Sequence, residues 1–124
     1  MTCPFCSVAS KLIAENAAAV AFADGYPVSA GHTLVVPRSH VVSVFDLAAD
    51  EQAQLWQLVA EVRDLLSAKY SADGFNVGVN DGQAAGQTVM HAHVHVIPRY
   101  ASDCDDARGG VRWVLPAKAD YWGD

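Results

Sequence analysis

The sequence predicts an α+β fold, a mainly antiparallel sheet with one long helix, and three observations carry that prediction. From about Asp50 to Lys69, apolar residues fall at Leu55, Leu58, Val59, Val62, Leu65 and Leu66, the spacing of a helix with one buried face. Several short segments instead alternate, or run apolar for a few residues, between glycine- and proline-bearing turns, as strands do. These strands stand in sequence around one helix rather than alternating with many, which favours antiparallel pairing over a parallel sheet.

Taken in order, segment 7–15 is weakly patterned and is expected to form a short helix. "AVAFA" (19–23) and "HTLVVP" (32–37) read as strands joined by the turn-rich "DGYPVSAG". Asp50 and Glu51 suit the positive N-terminal end of the long helix. "GFNVGVN" (74–80) alternates and reads as a strand, followed by the glycine-bearing loop "DGQAAGQ" (81–87). A further strand is expected through "HAHVHVI" (91–97), stopped near Pro98. The polar stretch 101–110 reads as loop, and "VRWVL" (111–115) as a last strand.

Length and composition bound what such a fold can do. The 124 residues suit one domain, 1–124, and 52% of them are hydrophobic, yet no apolar run approaches the roughly 18 residues of a membrane span. No basic region followed by an apolar block opens the chain, so a cytoplasmic protein without a secretory signal or membrane attachment is expected. Eight basic residues against 14 acidic ones give a net charge of −6 and form no basic run, which argues against nucleic-acid polymers as partners. Small phosphorylated ligands, held by a few local donors, remain open.

Three of the five histidines lie in "HAHVHVI", alternating with apolar residues. On a strand His91, His93 and His95 would share one face. Alternate residues lie about 6.6–6.8 Å apart, so His91 and His95 would be separated by about 13 Å and could not both reach one metal ion. An adjacent pair could. Neutral imidazole is also a competent nucleophile toward phosphorus, provided one ring nitrogen is free and the other is held by an acceptor. Upstream, "AAGQT" could offer backbone N–H groups to phosphate oxygens. The plainer alternative is a solvent-facing strand that happens to use histidine.

The stretch "GQTVMHAHVHVIPRY" resembles the signature of the histidine triad family, in which three histidines alternate with apolar residues. The resemblance extends to "DGYPVSAGHTLVVPRSH", "FDL" and "NDGQAAGQT", and the ending "GGVRWVLPAKADYW" is similar to a bacterial branch. It implies a homodimeric α+β protein of the histidine triad fold that binds purine nucleotides or dinucleoside polyphosphates. It further implies hydrolysis or transfer of nucleoside monophosphates from such substrates or from nucleoside phosphoramidates. His93 then matches the nucleophile that attacks the α-phosphate and carries the nucleotidyl group, flanked by His91 and His95, with His32 nearby. Asp24 matches a ribose-binding carboxylate, though a turn residue before Gly25 is also a sufficient reading. Phe5, Val8, Phe22 and Leu34 match the base pocket, where wall and core roles overlap. Asn80, Gly86, Gln87 and Thr88 match the phosphate-side loop. Asn80 is similar to the phosphoramidase branch, whereas the tail past Tyr100 is longer than that branch's ending, so no subfamily fits throughout.

"CPFC" places Cys3 and Cys6 two residues apart, a spacing that suits one tetrahedral ion or a redox dithiol, although no strand precedes it as a thioredoxin-like motif requires. Relatives complete such a site with two histidines, and the corresponding residues here are His40 and His91. The resemblance thus implies a closed, structural Zn2+ site of Cys3, Cys6, His40 and His91, and no organic cofactor. Cys104 reads as a free thiol. Two further classes stay open: a non-catalytic purine-nucleotide sensor using the same pocket, and a hydrolase with a metal at the centre of the histidine row.

Overall fold

The computed structural model describes residues 3–6 and 11–123. Five strands form one sheet: β1 Leu12–Glu15, β2 Ala19–Ala23, β3 Thr33–Pro37, β4 Gly74–Gly78 and β5 Val94–Arg99. Their spatial order is β1-β2-β3-β5-β4 and every neighbouring pair is antiparallel. Helix α1, Ala49–Tyr70, crosses one face. This is the α+β architecture that the periodicities predict.

The side-chain alternation of the strands decides what each face carries. Ala19, Ala21, Val35, Val94 and Val96 point toward α1 and are buried with Leu55, Leu58, Val59, Val62 and Leu66. Leu65, grouped with these by spacing, is instead 44% exposed at the edge of the helix stripe. The intervening residues Val20, Phe22, Leu34 and Val36 form a second apolar cluster on the opposite face, joined by Phe5 and Leu12. Fully burying each such side chain contributes about 1.5–3 kcal/mol, so α1 is held by its stripe rather than by capping. Its N-cap is Ala48, which has no side-chain acceptor, while Glu51 accepts the Ala48 N–H at 3.2 Å.

Three expectations are corrected. Residues 12–15 are strand, paired with β2, not helix; residues 7–10 lie outside the described residues. Regular strand β5 begins at Val94, so His91, at the end of a bend, and His93 lie in the lead-in to the strand. There the His91 carbonyl accepts from the His93 side chain, and the Ala92 N–H donates to Val41 O, which diverts these groups from the ladder. The strand does stop near Pro98, at Arg99, and the proline is accommodated because pairing with β3 ends at Val96 and leaves it an unpaired side. Finally, 111–115 is not a strand. Gly109 and Gly110 have positive φ and open a 3₁₀ turn, Gly110–Val114, before a short helix α2, Pro116–Ala119. Arg112 donates to the carbonyls of Lys118 and Ala119, and Trp113 to that of Arg108, so this segment satisfies its polar groups locally. Among the described residues no helix is long and apolar enough to cross a membrane.

Candidate functional site

The face opposite α1 carries the histidines. Leu34 of β3 pairs directly with His95 of β5, and Phe22 pairs with Leu34, so His95 shares a surface with the second apolar cluster. His93 joins it through Phe5, whose ring lies edge-on at 5.0 Å between centroids. Phe5 also meets Phe22 at 5.5 Å. Phe5, Phe22 and Leu34 therefore come together beside the histidine row, while Val8 lies outside the described residues. His93 and His95 stand 5.1 Å apart, ring centre to ring centre.

Hydrogen-bond partners fix the tautomers. His93 Nδ1 lies 2.8 Å from the carbonyl oxygen of His91, which can only accept, so Nδ1 carries the proton and Nε2 keeps its lone pair. His91 is oppositely arranged: Nε2 donates to Pro37 O at 2.8 Å and Nδ1 is unprotonated. In His32 the Val28 N–H donates to Nδ1 at 3.1 Å, which places the proton on Nε2. That Nε2–H faces His95 Nδ1 at 2.9 Å and Asp24 Oδ2 at 3.3 Å. His95 thus accepts at Nδ1 and keeps its own proton on Nε2.

Electrostatics favour the neutral forms of His32 and His95. Burial holds the His32 imidazole below its ordinary range, against the opposing pull of Asp24. His95 is lowered chiefly by burial, then by the neighbouring His93 and His32, and Asp24 again opposes. Asp24 also accepts the Tyr26 N–H at 2.8 Å, so one carboxylate both closes a turn and faces His32.

Two clusters have the donors to interest a metal ion. Cys3 Sγ, Cys6 Sγ and His40 Nδ1 lie 3.3, 3.6 and 3.0 Å from His91 Nδ1, and Cys6 Sγ lies 3.4 Å from His40 Nδ1. A tetrahedron with bonds of about 2.3 Å to sulfur and 2.0–2.1 Å to nitrogen has S···N edges of about 3.5 Å, so the set fits a closed four-ligand site. The Pro37 carbonyl holds the His91 ring with Nδ1 presented, as a ligand histidine needs. Close approach to Cys3 also raises the Cys6 thiol, first through their hydrogen bond and then through burial and Cys3's charge, an opposition that a bound cation reverses.

Asp24, His32 and His95 make the second cluster. Here the donor set does not fit: Val28 occupies His32 Nδ1, so a metal at Nε2 would leave an imidazolate. This cluster is a hydrogen-bond relay. The row divides between two environments, and among the described residues no donor group joins more than one of its histidines.

The remaining predicted residues are spread along the loop that precedes the row. Asn80 lines a cavity of about 300 Å³ together with His32 and His95. Gly86 ends a 3₁₀ turn, Gln83–Ala85, with φ of 98°. Gln87 is buried and its amide is spent within the protein: Oε1 accepts the Gly82 N–H, and Nε2 donates to Val42 O and Val89 O. Thr88 is exposed. Sequence reasoning missed Pro37, Val28 and the carbonyl of His91, since backbone groups act there and carry no side-chain signal. Gly31 was missed too, although glycine directly before a buried histidine is a signal of constrained backbone.

The HIT domain family model matches residues 7–102. An uncharacterised HIT-like protein of Saccharolobus solfataricus is 33% identical over 108 residues, covering 83% of this chain and 78% of its own. The asymmetrical bis(5′-nucleosyl)-tetraphosphatase of Schizosaccharomyces pombe is 38% identical over 96 residues, 77% of this chain and 53% of that protein. The crystal structure of a zinc-bound histidine triad family protein from Mycobacterium smegmatis superposes with a TM-score of 0.75 at 35% identity, covering 83% of this chain and 78% of that one. With the alternating histidines, the sheet that mounts them and a family match over most of its length, this chain belongs to the HIT, or histidine triad, family.

Proposed function

We infer that this protein is a nucleotidyl hydrolase or transferase that cleaves nucleoside monophosphate derivatives at the α-phosphate through a covalent intermediate on His93. One observation carries the reading: the His91 carbonyl fixes the His93 proton on Nδ1 and leaves the Nε2 lone pair free, on a buried ring that packs against Phe5. In the first step Nε2 forms a bond to the α-phosphorus while the bond from phosphorus to the leaving oxygen or nitrogen breaks, and the leaving group departs with the electron pair. The ring becomes an imidazolium, whose Nδ1–H is stabilised by the His91 carbonyl. His95, held as an Nε2–H tautomer by His32, serves as donor to a phosphate oxygen or to the leaving atom. Water then attacks phosphorus while the Nε2–phosphorus bond breaks and its electron pair returns to the ring. The proton lost by the water replaces the one His95 donated or passes to solvent, and the nucleoside monophosphate departs, leaving His93 neutral.

Phe5, Phe22 and Leu34 suit a purine base, Asp24 the ribose hydroxyls, and Asn80 with the backbone of Gly86–Thr88 the phosphate. Gln87 acts by holding that loop. Cys3, Cys6, His40 and His91 suit a structural zinc ion, which would supply no open coordination position and so would take no part in the step at phosphorus. The reading includes a homodimer, for which the unpaired outer edge of β4 offers a template for a second copy.

The test is to mix the protein with a dinucleoside polyphosphate or with adenosine phosphoramidate, quench within one turnover and weigh the intact chain. A nucleotidyl adduct that maps to His93 is expected. Turnover that persists in His93→Ala rejects the mechanism, and tight purine-nucleotide binding with no turnover on a broad panel leaves a sensor instead.

A further inference from the structure

The "CPFC" loop faces two sites at once. Cys3 and Cys6 turn their sulfurs to His91 Nδ1, at 3.3 and 3.6 Å. Phe5, between them, places its ring 5.5 Å from Phe22 and 5.0 Å from His93, and 6.2 Å from the His91 ring. It is thus a wall of the pocket read here as the base site, but it is mounted on the loop read here as half of a metal site. The loop's described backbone hydrogen bond, Cys6 N–H to Cys3 O at 3.1 Å, closes on itself and does not join it to the sheet. Among the described residues its polar contacts with the lead-in to β5 and the segment after β3 run through the sulfurs, to His91 and His40, while Phe5 supplies the apolar contact with the sheet.

We propose that the metal site and the base pocket are coupled through Phe5: an ion held by Cys3, Cys6, His40 and His91 fixes the aromatic wall and so sets the affinity for a planar base. This deepens the nucleotide reading and rests on it. The physical reason is preorganisation. Two donors clamped on either side of Phe5 leave its backbone little freedom, so the ordering cost is met before a ligand arrives. Without the ion, the ligand must order the loop itself. The phosphate side is mounted differently, on β5 and the loop that Gln87 braces, and does not share this dependence. The His91 carbonyl that holds His93 is anchored without the ion as well, by the Ala92 N–H bond to Val41 O and the His91 ring's bond to Pro37 O, so the coupling falls on binding and not on the step at phosphorus.

Coupling between two sites is reciprocal, which gives a readout independent of turnover. The affinities of AMP and of ribose 5-phosphate, which lacks a base, are measured by calorimetry on zinc-loaded and chelated protein, with circular dichroism as a check on the fold. Chelation is expected to weaken AMP by a factor between about 5 and 150, the usual span of coupled sites, and to leave ribose 5-phosphate unchanged. Zinc affinity must rise by the same factor when AMP is present. In Phe5→Ala, loaded protein is expected to bind AMP as weakly as chelated wild type, with no further loss on chelation, and Phe5→Tyr is expected to restore the coupling.

Equal weakening of both ligands overturns the proposal, because the ion would then be acting on the histidine row. So does a Phe5→Ala chain that keeps its full zinc dependence, or a chelated chain that loses its circular dichroism spectrum, since the ion would then hold the fold and not one wall. A zinc-loaded chain that binds neither AMP nor ribose 5-phosphate rejects the nucleotide reading itself, and a chain that takes up no zinc rejects the metal reading. Both are separable from failure of the coupling.

Discussion

At His93 a ring with two nitrogens has one of them committed to a carbonyl oxygen, and that single commitment settles which atom is available for chemistry. His93→Ala is expected to lower kcat by a factor on the order of 10³ or more, with the nucleotide affinity changed far less, as steady-state kinetics beside calorimetry would show. Next to it, His32 and His95 are both held below the ordinary histidine range, and the sign of the consequence can be worked out. The unfolded chain binds more protons than the folded one once the pH drops to about 6.5, so stability is full above that value and declines as pH falls toward the folded pKa values. Denaturant melts between pH 7.5 and 5.5 should show this loss in wild type and a smaller one in His32→Gln/His95→Gln. Equal slopes in the two proteins would remove these residues from the explanation.

At the scale of elements, the turn into β3 and the stripe of α1 are the places where small changes have large effects. Gly31 has φ of 91°, and a Cβ there would stand 2.9 Å from the Tyr70 ring and 3.1 Å from Pro98. The tight turn lets the next residue, His32, enter the sheet with Nδ1 on the Val28 N–H. Gly31→Ala is expected to destabilise by more than about 1 kcal/mol and to raise KM or lower kcat along with stability, because it displaces the relay. Leu58, fully buried between helix and sheet, should cost about 2–5 kcal/mol on truncation to alanine, while leaving the kinetics of the folded fraction unchanged. Together these two melts distinguish an element that positions the site from one that only supports it. Elsewhere, the bidentate contact of Arg99 with Asp103, at 2.7 and 2.8 Å, fastens the polar tail to β5 and pulls the Asp103 carboxyl well below the usual range, first through that hydrogen bond.

For the whole molecule, the proposed zinc site joins parts distant in sequence: the opening of the chain, the turn after β3 and the lead-in to β5. Protein purified without chelator is expected to carry one zinc per chain by elemental analysis. Cys3→Ser should lose it and fall in stability by about 2–4 kcal/mol, the linkage expected when a ligand present at some hundredfold its Kd is removed. Absence of zinc, together with an unchanged melting temperature in Cys3→Ser, rejects the site.

The sequence determined the elements whose signals are local and repeated. The period of α1 and the alternation in β2 and β3 follow from side-chain spacing, and the structure keeps them. Where the signal was weak or the outcome depended on competing partners, the sequence misled: 12–15 found a neighbour in β2, and 111–115 closed on its own carbonyls. Donor spacing in "CPFC" was legible in the chain, and so was the limit that strand geometry sets on a three-histidine ion. What only the tertiary structure decided is which nitrogen of each histidine holds the proton. That choice rests on backbone atoms of Pro37, Val28 and His91 itself, brought into place by pairing and turns, and a backbone carbonyl looks the same at every position in a sequence.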